Sequence, residues 1–176
     1  MKKIMEEEPK DVIVLGAIRS GAKKFDKIVR VTKIKPDELN KILEKLEGRR
    51  LIEVKEKKGF FGSKVELNTT EKGSREIDER IHELQEEWSQ MVTLYKTGDK
   101  KKLKEYMDER RSFFPTMMYF GIIDMMMFSM MFSMMGVAMS SYIPADDMSQ
   151  FGDDMTNNDL GDSGMEDGGF DLDIGF

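Results

Sequence analysis

Apolar positions recur at three- and four-residue intervals along the first two thirds of the chain, and that spacing predicts helices. Residues 12–19, VIVLGAIR, place Val12, Leu15 and Ile18 on one face, with a stop expected near Ser20-Gly21. Residues 24–32 carry Phe25, Ile28 and Val29 at i, i+3 and i+4, a short second helix. Residues 36–47 hold Leu39, Ile42, Leu43 and Leu46 at helical spacing; Pro36 suits the first helical position and Gly48 suits the stop. The pattern then changes. Residues 51–54 and 64–67 read as two short strands around a glycine-punctuated turn, Gly59-Phe60-Phe61-Gly62-Ser63. Thr70 is placed to cap the next helix, with Gly73 in its first turn.

Beyond Thr70 the apolar residues Ile77, Ile81, Leu84, Trp88, Met91 and Tyr95 follow one another at intervals of 4, 3, 4, 3 and 4. That is a heptad seam, and it predicts a coiled-coil contact with these six as dimerisation residues. Gly98 and Asp99 stop this helix and cap the next, giving a helical hairpin used within one chain or across a homodimer. The second helix starts at Lys100, carries Leu103, Tyr106 and Met107, and is bent or interrupted at Pro115. Residues 113–139 hold ten of the 17 methionines and a single charge, Asp124. After Pro144 the chain is rich in Asp, Gly, Asn and Met, a composition that predicts disorder with a few hydrophobic beads. The expected fold class is mainly α with a small β-hairpin: a winged helix-turn-helix, then a long helical hairpin or coiled coil, then a disordered acidic tail. The expected divisions are a flexible N-terminus over 1–9, a winged-helix domain over 10–73, and a dimerising helical hairpin over 74–112. A Met-rich hydrophobic helical segment over 113–143 and the tail over 144–176 complete them.

Charge changes the picture, because the net of −6 hides an asymmetry. All 28 lysines and arginines lie in residues 1–111, beside 23 acids, for a local net of +5. Residues 112–176 carry the other 11 acids and no basic residue. Within residues 10–75, 18 basic residues face 10 acidic ones, so a module of net +8 sits in an acidic protein. The absence of cysteine excludes disulfides, zinc fingers and thiol chemistry, and fits a cytoplasmic location, with membrane association left open by the methionine run. The N-terminal MKKIMEEEPK lacks the apolar core of a signal peptide. His82 stands alone, so no metal site is expected. With no phosphate-binding glycine loop, nucleophile elbow or paired acids, neither catalysis nor a cofactor is expected.

A helix that feeds a lysine-rich hairpin is the form in which a winged helix meets double-stranded DNA, the helix in the major groove and the hairpin against the backbone or minor groove. Asn40, Lys41 and Lys45 lie on the outward side of the third helix. Lys33 and Lys35 stand at its start and Arg49 and Arg50 at its end, while Lys55, Lys57, Lys58 and Lys64 lie in or beside the hairpin. The cations suit phosphates, and the amide of Asn40 can both donate to and accept from a base edge. Asp37, Glu38 and Glu44 favour the opposite reading, a solvated face on a protein-binding module. Three runs carry a family resemblance: Leu43-x-x-Leu46-Glu47, Gly48-Arg49-Arg50-Leu51-Ile52, and residues 65–73, VELNTTEKG. In these the segment from residue 10 to about 95 resembles the winged-helix transcriptional regulators of the MarR and PadR type. Val65 stands where those families usually carry tyrosine, and Asn68 precedes two threonines. The resemblance implies a DNA-binding regulator that dimerises through the helices after its wing. It carries over no small-ligand pocket, because no residues match one.

The methionine run leaves three readings open, since methionine is flexible, polarizable and suited to varied apolar shapes. Met117, Met118, Met125, Met126, Met127, Met130, Met131, Met134 and Met135 form a buried core, a membrane segment, or an exposed surface for hydrophobic protein segments. The run is long enough to span a bilayer, but Pro115, Gly121, the serines and above all Asp124 oppose that. If it does span, the basic flank up to Arg111 places residues 1–111 in the cytoplasm. The third reading makes the protein a carrier or chaperone-like protein, the alternative to a regulator.

Overall fold

Val14, Leu15 and Ile18 of the first helix have almost no exposed surface, and the rest of the N-terminal half is arranged to cover them. In the computed structural model, which describes residues 10–145, that helix is α1, Asp11–Arg19. It is followed by α2, Phe25–Thr32, and α3, Pro36–Gly48, with Pro36 in the first turn as its fixed φ favours. Ile28 of α2 and Leu39, Ile42 and Leu46 of α3 close on α1. Strands β1, Ile52–Gly59, and β2, Gly62–Thr69, then form one antiparallel ladder, from Ile52 opposite Thr69 to Gly59 opposite Gly62. The strands are longer than their apolar runs suggest. The ladder continues through the polar residues 55–58, so the turn shrinks to Phe60-Phe61. A further bond, Leu67 N–H to the Lys23 carbonyl at 2.9 Å, ties β2 to the loop before α2.

Helix α4, Glu71–Thr97, is the long element, and α5, Lys100–Glu109, folds back along it after Gly98 and the Asp99 cap. Ile77, one heptad before Leu84 and two before Met91, lies in the core of the first three helices. Leu84 and Met91 are equally buried further along the helix, whereas Ile81, Trp88 and Tyr95 are half-buried. Three of the six residues expected to join two chains thus have no surface left, and the other three keep part of theirs. Helix α5 returns along α4 after a two-residue connection, Gly98-Asp99.

The methionine run is not one helix. It divides into α6, Phe114–Tyr119, and α7, Met125–Met135, flanked by 3₁₀ turns at Arg111–Phe113 and Met139–Ser141. Gly121 and Gly136 hold φ of +66° and +68°, which end α6 and α7 in a left-handed turn. Asp124 caps α7, its carboxylate accepting from the Met127 N–H at 3.0 Å. Among the described residues no helix is long and apolar enough to cross a membrane. Met117, Met118 and Met131 are buried, Met125, Met127, Met134 and Met135 partly so, and Met126 and Met130 remain 71% and 44% exposed. Phe128 binds this part together: its ring lies 5.3 Å from Phe114, 4.8 Å from Phe132 and 6.1 Å from Trp88 of α4. Tyr119 and Phe120 at the end of α6 pack on the first core, against Gly16 of α1.

The chain divides after Ile143 into two units, and the described residues belong almost wholly to the first. The expectations of a flexible N-terminus over 1–9 and a disordered acidic tail fall outside the described residues, except for Pro144 and Ala145.

The Tyr142 hydroxyl donates to Asp108 of α5, and burial, then this carboxylate, push the tyrosine up to about 12. Desolvation raises Asp108, but hydrogen bonds from Lys104 and Tyr142 outweigh it and hold the carboxyl below its ordinary 3.8. A depressed carboxyl stabilises the fold above its unfolded value and loses that contribution as the pH falls through its folded one. The stability difference between wild type and Asp108→Asn, read by urea denaturation, should therefore be largest near neutral pH and shrink as the pH drops below 3.8. A second expectation concerns Gly73: a Cβ there would lie 2.1 Å from the Leu51 carbonyl oxygen. Gly73→Ala should lower stability by about 2 kcal/mol or more, measured by thermal unfolding, since backbone must shift on one side or the other.

Candidate nucleic-acid interface

Because α3 turns Leu39, Ile42 and Leu46 inward, Asp37, Asn40, Lys41, Glu44 and Glu47 stand in solvent. The eleven residues singled out from the sequence are all exposed. They fall into two groups by what they touch. Lys45 reaches back to Asp11 of α1 at 2.5 Å, and Asp11 itself is only 8% exposed. Arg49 pairs with Glu76 of α4 at 2.7 Å, Lys55 with Glu53 at 2.6 Å and Lys57 with Glu66 at 3.0 Å. The bond from Lys57 keeps the Glu66 carboxyl below its usual range. Lys33, Lys35, Lys41, Arg50, Lys58 and Lys64 make no ion pair among the described residues. Five of these six cations thus lie at the two ends of α3 and on the hairpin; the sixth, Lys41, stands with Asn40 in the middle of α3 between carboxylates.

Two of these cations sit on unusual backbone. Lys33, the last cap of α2, has φ of +58°, and Arg50, after α3, has φ of +59°. Both are left-handed conformations that glycine adopts freely and that cost another residue on the order of 1 kcal/mol. Arg50 is held there by its surroundings. Its carbonyl accepts from the Thr70 hydroxyl at 2.7 Å, and its N–H bonds the Glu47 carbonyl at 2.8 Å. Lys72 reaches the neighbouring Arg49 carbonyl at 3.1 Å, so the end of α3 is fastened to the start of α4.

Two further surface features lie, apart from Lys64, outside the eleven. Lys23 and Lys24, with Lys64, rim a shallow trough of about 470 Å³ whose floor is Phe25, Leu43, Val54, Val65 and Leu67. Phe60 and Phe61 occupy the hairpin tip with their rings entirely in solvent. A signal for the second group exists in the sequence: two phenylalanines between two glycines have no strand face on which to be buried. No family model, curated protein or solved structure matches the chain.

The Lys45 pair separates structural from surface charge. Lys45→Ala leaves the buried Asp11 without its counter-charge and should lower stability by about 1 kcal/mol in urea denaturation. Lys41→Ala, in open solvent, should change it by less than about 0.5 kcal/mol.

Proposed function

We propose that this protein is a winged-helix DNA-binding regulator, with α3 as the recognition helix and the β1–β2 hairpin as the wing. The observation that carries the reading is the set of exposed, unpaired cations at both ends of α3 and on the hairpin, of which Lys33 and Arg50 are kept where glycine would be less strained. Strained backbone of this kind clusters at functional sites. The cations would neutralise phosphates, setting position and most of the affinity, and Asn40 would read a base edge. The acids Asp37, Glu44 and Glu47 on the same helix limit how closely its middle can approach a backbone, which leaves the phosphate contacts to the flanks.

The carrier alternative now rests on Met126 and Met130, the methionines still well exposed on α7. A homodimer through the heptad seam has less to recommend it, since Ile77, Leu84 and Met91 have no exposed surface left.

Gel shift of the full-length chain against genomic fragments at low salt tests the DNA reading, and absence of any shift would sink it. Lys58→Ala with Lys64→Ala should weaken binding alike on all sequences and make the salt dependence shallower by about two phosphate contacts. Arg50→Gly should do the reverse of a usual loss-of-function change: binding weakens while the melting temperature rises.

A further inference from the structure

The hairpin ends in a feature that phosphate contacts leave unused. Phe60 and Phe61 occupy the two positions inside the Gly59–Gly62 pair, and their exposures are 104% and 101%. The glycines on either side offer nothing to cover the rings. Directly behind the tip, Lys57 stands opposite Lys64 and Lys58 opposite Ser63. Like charges directly opposed weaken a ladder. Lys57 leans to Glu66, whereas Lys64 makes no ion pair among the described residues. The tip is therefore an aromatic point with cations on both strands, and the strands of such a ribbon lie about 4.8 Å apart.

We propose that this tip enters the minor groove of duplex DNA, where Phe60 and Phe61 wedge between base pairs and kink the duplex. The inference rests on the DNA-binding reading above and adds to it the aromatic wedge and the deformation. The minor groove is about 6 Å wide in B-DNA, has phosphates along both walls, and opens when base pairs unstack around an inserted apolar side chain. Lys58 on one strand and Lys64 on the other, neither in an ion pair among the described residues, match two anionic walls. A lipid surface also offers phosphates beside an apolar phase; the tip shares its module with Asn40 and the unpaired cations at the ends of α3, on which the DNA-binding reading already rests, and the test separates the two surfaces.

The test mixes the full-length chain with a short A·T-rich duplex carrying a donor and an acceptor dye at its ends. Binding is followed by anisotropy and bending by energy transfer. Wild type should bind and bend the duplex. Phe60→Ala with Phe61→Ala, which alters only exposed side chains, should lose the bend and bind about tenfold more weakly, with the salt dependence unchanged. Phe61→Trp adds a reporter at the tip, and its emission over wild type should be quenched by stacking on bases. Wild type that binds and is matched in bend and affinity by the double alanine variant would overturn the wedge and leave the DNA reading standing. Failure of wild type to bind any duplex would overturn both. Phenylalanine-dependent binding to phosphatidylserine vesicles, with brightened, blue-shifted emission from the Phe61→Trp variant and no duplex bending, would assign the tip to a lipid surface instead.

Discussion

The first turn of α4 lies on the backbone of Leu51, and the arrangement of the N-terminal half depends on that contact. The Leu51 carbonyl accepts from the Thr70 N–H at 3.0 Å, and the α-carbon of Gly73 approaches the same carbonyl so closely that no side chain fits. Thr70 accepts from the Gly73 N–H at 3.0 Å and donates to the Arg50 carbonyl, so one hydroxyl caps α4 and holds the end of α3. Three elements meet within these few bonds: the recognition-helix candidate, the base of the hairpin and the long helix.

From that joint α4 carries the fold onward. Its residues Ile77, Leu84 and Met91 repeat every seven positions, the first in the three-helix core and the others buried further along the same helix. The far end is an aromatic and methionine cluster in which Phe128 touches Phe114, Phe132 and Trp88. Methionine suits that place. The helical pieces α6 and α7 are short and broken by turns, and an unbranched thioether fills irregular space better than a branched chain. Beside it, the Tyr106 hydroxyl and Arg110 both bond Glu87, with the guanidinium 3.5 Å above the Tyr106 ring. Burial and this carboxylate raise the tyrosine's pKa well above its ordinary value.

The exposed cations also make sense as a division of labour. Lys45 and Arg49 reach acids on α1 and α4 and hold elements together, whereas Lys33, Arg50, Lys58 and Lys64 remain in solvent. Sequence position alone does not distinguish the two groups. Lys41 and Lys45 are one helical turn apart, yet Lys45 turns toward Asp11 and Lys41 turns away.

The chain by itself determined the helices before residue 110, the caps at Thr70 and Asp99 and the place of the hairpin, because these follow from local periodicity and from Pro36, Thr70, Gly98 and Asp99. Tertiary structure decided what the apolar surfaces face. The 77–95 seam reads equally well as a contact between chains or within one; in the folded chain Ile77 is covered by the first three helices and Trp88 meets Phe128, while Ile81, Trp88 and Tyr95 keep part of their surface. Residues 113–139 read as one apolar stretch, and only the left-handed turns at Gly121 and Gly136, with Asp124 as a cap, divide it into short packed helices. Phe60 and Phe61 look from the sequence like part of a turn. The ladder register places them alone at its tip, since a two-residue turn leaves no face of the sheet on which to bury them.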